Sequence, residues 1–170
     1  FDSKKIQLNH IRSSNHQDFR ANKLFFILSE MLLNRAFDRI KLTDKKNILE
    51  IGARNNSLSN LLESKKLRSN FFQTTQSREI KIKSNKKVVA NFKHPPFKIS
   101  IFDICFSILS INSSENMPLT FKSIYDLLKP NGSFLTVLPS DECIKEFRSF
   151  FLNFFKPKRN FSFNPALDIK

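Results

Sequence analysis

The chain has 170 residues, room for one domain with one sizeable core. Its formal charge of +14 would suit a polyanion, but the Lys–Lys pairs at 4–5, 45–46, 65–66 and 86–87 are scattered and form no single arm, which favours a solvated lysine-rich surface. No apolar run reaches transmembrane length, and Cys105 and Cys143 show no disulfide framework or metal-ligand spacing, so a membrane span and a metal site are excluded and a reducing compartment is expected, cytoplasmic or matrix-like.

Phe at 20 and Gly at 2, beside abundant Lys, Asn and Ile, is the usage an AT-rich genome imposes, so composition carries little functional information. Residues 1–18 read as an irregular polar lead-in. A helix is predicted over 19–40, with Leu24, Leu28, Met31 and Leu32 at helical spacing and Glu30, Arg35 and Asp38 off that face. "NILEI" reads as a buried strand, followed by a helix from about Ser57 that turns Leu58, Leu61 and Leu62 inward. "SNFFQTT" and "KKVVANF" are the next strands, and the two prolines of "KHPPF" forbid helix after them. "SIFDICFSILSI", 100–111, is the most apolar run and is expected to be the central strand, with Cys105 packing as a small hydrophobe.

A helix from about Pro118 to Leu128, a "KPNGS" turn and a fifth strand over 133–139 follow. The last predicted helix, "DECIKEFRSFFLNFF", lines up Ile144, Phe147, Phe151 and Phe154 and ends at Pro157, leaving 158–170 as a loop. Alternating strands and helices imply one α/β domain with a parallel sheet and right-handed crossovers: a lead-in and helix over 1–45, the core over 46–157 and a terminal loop over 158–170.

"NILEIGARNNSLSNLL" has an acid, Glu50, at the end of a strand and a glycine, Gly52, two residues later. With "FDICFSILSI" and "LLKPNGSFLTVLP" at their distances, the order resembles the class I S-adenosylmethionine-dependent methyltransferases. The two glycines, Gly52 and Gly132, fall at the two places where that pattern uses glycine most. "FDSKKIQLNHIRS", "SILSINSSENMPLTFKSIYDLLKPNGSFL" and "ECIKEFR" look closest to the biotin-synthesis methyltransferases, which act on a carrier-bound malonyl chain, and to their branch related to a mitochondrial complex I assembly factor. The resemblance implies a Rossmann-like sheet of parallel strands in the order 3-2-1-4-5 with flanking helices. The sequence ends where that family continues into a last helix and two final strands.

The resemblance also implies a site. Glu50 would bind backbone amides or the amino group of S-adenosylmethionine, and Gly52 would let the backbone pass close to the methionine moiety. Arg54 and Asn56 stand where the family has further glycines, with Asn56 able to adopt a left-handed conformation and Arg54 turned outward. Thr75 replaces the acid that grips the ribose hydroxyls, Asn91 the acid that meets the adenine amino group, and Phe92 would pack on the purine or serve as a plain core or loop aromatic. Ser107, in the fourth strand, completes the candidate set. Asp103 would fix the strand mouth, and Asn112 and Ser113 replace an aromatic substrate pocket without supplying a general base. His94 is expected to be a solvated loop residue.

Three readings follow: a methyltransferase of unknown acceptor with a weakened cofactor site, a catalytically inactive methyltransferase-fold protein that acts through protein contacts, and, more weakly, a basic RNA-binding or RNA-modifying module. The partners implied are a protein or carrier-protein substrate, with nucleic acid suggested by charge alone.

Overall fold

The computed structural model describes Leu8 and residues 19–82 and 86–140. The described residues up to Val137 form one compact unit, and residues 138–140 belong to a second. The expected last helix and the terminal loop therefore lie outside the described residues. So does most of the lead-in, although the backbone at Leu8 is helical.

Helix α1 (Phe19–Ile40) leads into β1 (Asn47–Glu50), α2 (Ser57–Ser64), β2 (Asn70–Thr75), β3 (Lys87–Val89), β4 (Phe102–Ile108), a 3-10 turn (Ile111–Ser113), α3 (Met117–Leu127) and β5 (Leu128–Val137). The five strands form one sheet in the order β3-β2-β1-β4-β5, with every pairing parallel. This is the Rossmann-like order expected from the sequence.

β1 and β4 are the most buried strands, as their uninterrupted apolar runs require when both faces of a parallel sheet are covered. On one face Ile48, Ile104, Phe106 and Ile108 pack with Leu58, Leu61 and Leu62 of α2 and Leu32, Leu33 and Ala36 of α1. Phe121 of α3 meets Phe134 of β5 edge to face, with ring centroids 6.2 Å apart. Cys105 is buried within β4, and burial pushes its thiol up to about 12.

The core stripe of α1 agrees only in part with the one read from spacing: Leu28 and Leu32 reach it and two others do not. Leu24 and Met31 are 48% and 53% exposed, while Phe25, Leu28, Leu32, Leu33, Ala36 and Phe37 meet the core. The apolar residues of this helix nearly encircle it, so periodicity alone places the buried face one residue off.

β5 also differs from expectation. No separate turn precedes it: Leu128 leaves α3 and pairs at once with Phe102. The next partners are Ile104 and Ser133, so Lys129–Gly132 bulge out opposite the single residue Asp103. Asn131 takes φ +65 at the tip, and a Cβ on Gly132 would stand 2.8 Å from the Lys129 carbonyl oxygen. Asp103 clamps this bulge. It accepts hydrogen bonds from Lys129 Nζ at 2.8 Å and from the Asn47 backbone N–H at 2.9 Å, with Lys46 Nζ at 3.5 Å. Burial would raise its carboxyl, but the Lys129 and Asn47 hydrogen bonds and the charges of Lys129 and Lys46 hold it below the ordinary range.

Among the described residues no helix is long and apolar enough to cross a membrane, and no cluster of His, Cys, Asp and Glu could hold a metal.

Candidate functional site

From β1 the chain proceeds to β2 and β3 on one side of the sheet, while β4 and β5 lie on the other. The carboxyl ends of β1 and β4 therefore border the reversal of strand order, the crevice where open α/β sheets bind ligands. Glu50 and Gly52 stand there.

Glu50 is only 4% exposed and sits in register between Gln73 of β2 and Phe106 of β4. Gln73 Nε2 donates to Glu50 Oε2 at 2.7 Å. Burial raises the Glu50 carboxyl from 4.5 to about 7, against the smaller opposing effect of the Gln73 hydrogen bond. A carboxyl poised near neutrality at a sheet switch point is a mark of a functional site.

The backbone turns sharply after Glu50. Gly52 has φ +71, its N–H donates to Thr74 Oγ1 at 3.0 Å, and its carbonyl accepts from Ser110 Oγ at 2.8 Å. A Cβ here would overlap Ser110 Oγ and come within 2.8 Å of Phe92 Cε1. Two requirements, a left-handed backbone and a close approach, thus select glycine at this position. Leu109, with φ +48, bends the chain after β4 and presents Ser110 to the turn.

Neither Arg54 nor Asn56 needs to be glycine, because neither has positive φ; Asn56 precedes α2 with φ −98. The outward orientation expected for Arg54 is not what forms. Its guanidinium lies 5.9 Å from the Phe25 ring of α1, and burial lowers it to about 10. The loop has replaced glycine flexibility with a packed anchor on α1.

The remaining candidates divide. Thr75 ends β2 fully buried, with its hydroxyl donating to the Ser77 carbonyl at 3.0 Å. Asn91 is exposed, and its Oδ1 accepts the Lys93 backbone N–H at 2.9 Å, closing a tight local turn. Phe92 is buried against Gly52. Ser107 is fully buried near the end of β4, and its Oγ has no partner among the described residues; the same holds for Gln73 Oε1. Buried polar atoms rarely stay unpaired, and these two offer hydrogen-bonding capacity to a polar ligand or water. His94 is exposed, as expected.

Gln73, Thr74 and Ser110 were not singled out by the sequence reading. Gln73 is a buried polar residue directly in register with Glu50, a signal visible once the two strands are aligned.

A family model described as a methyltransferase domain matches residues 49–136. The chain belongs to this methyltransferase domain family. Solved structures share the domain's fold. A Methanococcus maripaludis protein taken to be an S-adenosyl-L-methionine-dependent methyltransferase aligns with TM-score 0.56 and 16% identity, over 79% of this chain and 70% of its own. Haemonchus contortus phosphoethanolamine N-methyltransferase 2, in complex with S-adenosyl-L-methionine, aligns with TM-score 0.58 and 16% identity, over 73% of this chain and 31% of its own. The [4+2]-cyclase SpnF aligns with TM-score 0.54 and 13% identity, over 65% of this chain and 43% of its own. No curated protein sequence matches the chain. The cyclase shows that a methyltransferase-domain fold can host other chemistry, so function has to be argued from the site.

A buried carboxyl, a glycine turn at the switch point and the buried Gln73 Oε1 suit a polar, cationic ligand such as S-adenosylmethionine. Glu50, Gly52 and Gln73 are the residues that would hold it, while Ser107, next to the register partner of Glu50, points to the other face of the sheet.

Proposed function

We propose that this methyltransferase domain binds S-adenosylmethionine at the carboxyl edge of β1, with lower affinity than a site carrying acids on β2 and after β3. The carrying observation is the Glu50–Gly52 turn, with its buried carboxyl near neutrality and its glycine in the left-handed region. When bound, the cofactor supplies an electrophilic methyl group on a sulfonium. The chain's part is to hold it, exclude water and align an acceptor. Such alignment carries most of the barrier reduction when the acceptor atom is already a good nucleophile, so a general base is not required.

The weakened affinity follows from two neutral side chains with local commitments. Thr75 offers a hydroxyl whose proton goes to Ser77, and the Asn91 carbonyl is engaged by Lys93. A hydrogen bond to a charged group contributes about 1.5–3 kcal/mol, so each lost carboxylate lowers affinity by roughly tenfold or more. The acceptor proposed from the narrower sequence resemblance is a carboxyl group on an acyl carrier-bound chain or, from its second branch, a respiratory-complex subunit.

One observation favours the second reading, an inactive domain acting through protein contacts. Ser110 and Phe92 press on Gly52 from the side that the glycine keeps open. Calorimetric titration with S-adenosylmethionine and with its demethylated product decides between the two. Saturable heat that falls at least tenfold in affinity on Glu50→Ala supports the cofactor reading. No heat and no thermal shift at millimolar ligand would refute it and leave the inactive domain.

A further inference from the structure

In a parallel sheet all strands begin at one end, so residues that precede different strands become neighbours. Three of the Lys–Lys pairs that look scattered in sequence are gathered in this way. Lys45–Lys46 lead into β1, Lys65–Lys66 connect α2 to β2, and Lys86–Lys87 open β3. Arg68 precedes β2, and Lys129 opens the bulge of β5.

Hydrogen bonds join this end of the sheet into a continuous row. Lys86 Nζ donates to Asn70 Oδ1 at 3.0 Å, Asn70 Nδ2 to Asn47 Oδ1 at 3.1 Å, and Asn47 Nδ2 to the Ile101 carbonyl at 2.9 Å. The Asn47 N–H and Lys129 Nζ then meet on Asp103. One row thus crosses from β3 to β5, and the Lys45 N–H, donating to the Arg68 carbonyl at 2.9 Å, ties the flanking loops together. Lys45, Lys66, Arg68 and Lys86 are exposed. The carboxylate within the row, Asp103, is shared by two lysines.

We propose that this amino end of the sheet is a docking surface for the phosphodiester backbone of a single-stranded nucleic acid. Four strand spacings of about 4.8 Å give a row of about 19 Å. Successive phosphates of an extended single strand lie roughly twice the 3.4 Å axial rise of a duplex apart, so that length matches about three phosphates. A lipid surface would reward apolar insertion beside the cations. Here the row consists of lysine, asparagine and the Asp103 carboxylate, and the exposed apolar residues at this end are Ile99, before β4, and Tyr125, in the last turn of α3; an aromatic ring beside a cationic row suits the bases of a single strand. The docking surface lies at the opposite end of the strands from Glu50.

The test is fluorescence anisotropy with a short labelled oligouridylate and the full chain. With about three phosphates engaged, log K should fall against log salt with a slope of about −2, roughly a twentyfold loss between about 50 and 200 mM salt. The triple variant Lys45→Gln/Lys66→Gln/Arg68→Gln should bind at least tenfold more weakly and lose most of that salt dependence. A control with the same charge change, Lys23→Gln/Arg35→Gln/Lys122→Gln, should keep the wild-type affinity, and both variants are compared only after matching circular dichroism melts. Glu50→Ala should leave oligouridylate binding intact, which separates this surface from the cofactor site. Equal weakening by both triples, absence of binding at low salt, or preference for phosphatidylserine vesicles or polyglutamate over the oligonucleotide would overturn the proposal.

Discussion

Replacing Glu50 by glutamine should stabilise the protein at neutral pH and leave it nearly unchanged in acid. The native carboxyl titrates near 7 and its ordinary value is 4.5, because burial disfavours the charge. Between these values the folded state holds a proton that the unfolded chain has lost, so stability falls as pH rises. The contribution of protonated Glu50 is complete below about pH 4.5 and gone above about pH 7. At 1.36 kcal/mol per pKa unit, the interval is worth about 3 kcal/mol. Glutamine keeps the shape and cannot ionise. Its amide can also donate to Gln73 Oε1, the buried atom with no partner among the described residues. Urea melts of wild type and Glu50→Gln from about pH 4.5 to 7.5 isolate this group, since other titrations cancel in the difference. The difference should grow to about 3 kcal/mol, or roughly 6–12 °C in Tm at 2–4 °C per kcal/mol for this chain length. A difference that stays flat with pH, or a variant less stable than wild type at pH 7.5, would refute the assignment of a strained buried carboxyl.

Gly52→Ala should cost about 2–4 kcal/mol in urea melts, from the left-handed backbone and the collision with Ser110 and Phe92. Adding Ser110→Gly should recover part of that loss; no recovery would separate the backbone penalty from the contact. Asp103→Asn should destabilise by about 1 kcal/mol near neutral pH, because Lys129 and Lys46 lose their shared anion. Since the Asp103 carboxyl titrates below its ordinary range, that stabilisation is present above the ordinary value and lost as pH falls through the folded one, so the variant and wild type should converge in strong acid. In a Cys143→Ser background, Cys105 should react with a thiol reagent only as fast as the protein opens globally, because its thiol is buried and pushed up to about 12. Rapid stoichiometric labelling of the native protein would contradict the packing of β4.

The strands and their order were legible because the chain's apolar runs are short, bounded and separated by helical patterns. "FDICFSI" could be little else than a central strand. The inward face of α1 was only partly legible, because Leu24, Phe26, Ile27 and Met31 supply as much apolar signal as the residues that reach the core. At the site, Glu50 and Gly52 could be placed from a strand followed by acid-x-Gly. The conformations at Arg54 and Asn56 could not, since a glycine pattern says where φ is positive in relatives and not whether a chain lacking those glycines has found another path. Here it has, through Arg54 on Phe25. The partnership of Gln73 with Glu50 depends on strand register, and the gathering of the lysine pairs depends on sheet topology. Both are properties of pairing between distant segments, which spacing within a segment does not report.

The bulge at Lys129–Gly132 has a consequence for what lengths this connection can take. Four residues face one, an excess of three. With Asn131 at φ +65 the segment leaves the alternation of a regular strand, so the faces beyond it are set by the pairing of Ser133–Val137 with Ile104–Ile108 and not by the number of residues in the bulge. That pairing sends Leu135 and Val137 to the α1–α2 core and Phe134 to Phe121 of α3. The segment can therefore gain or lose a residue without turning β5 over, because the change is taken up within the bulge and the strand beyond keeps its register.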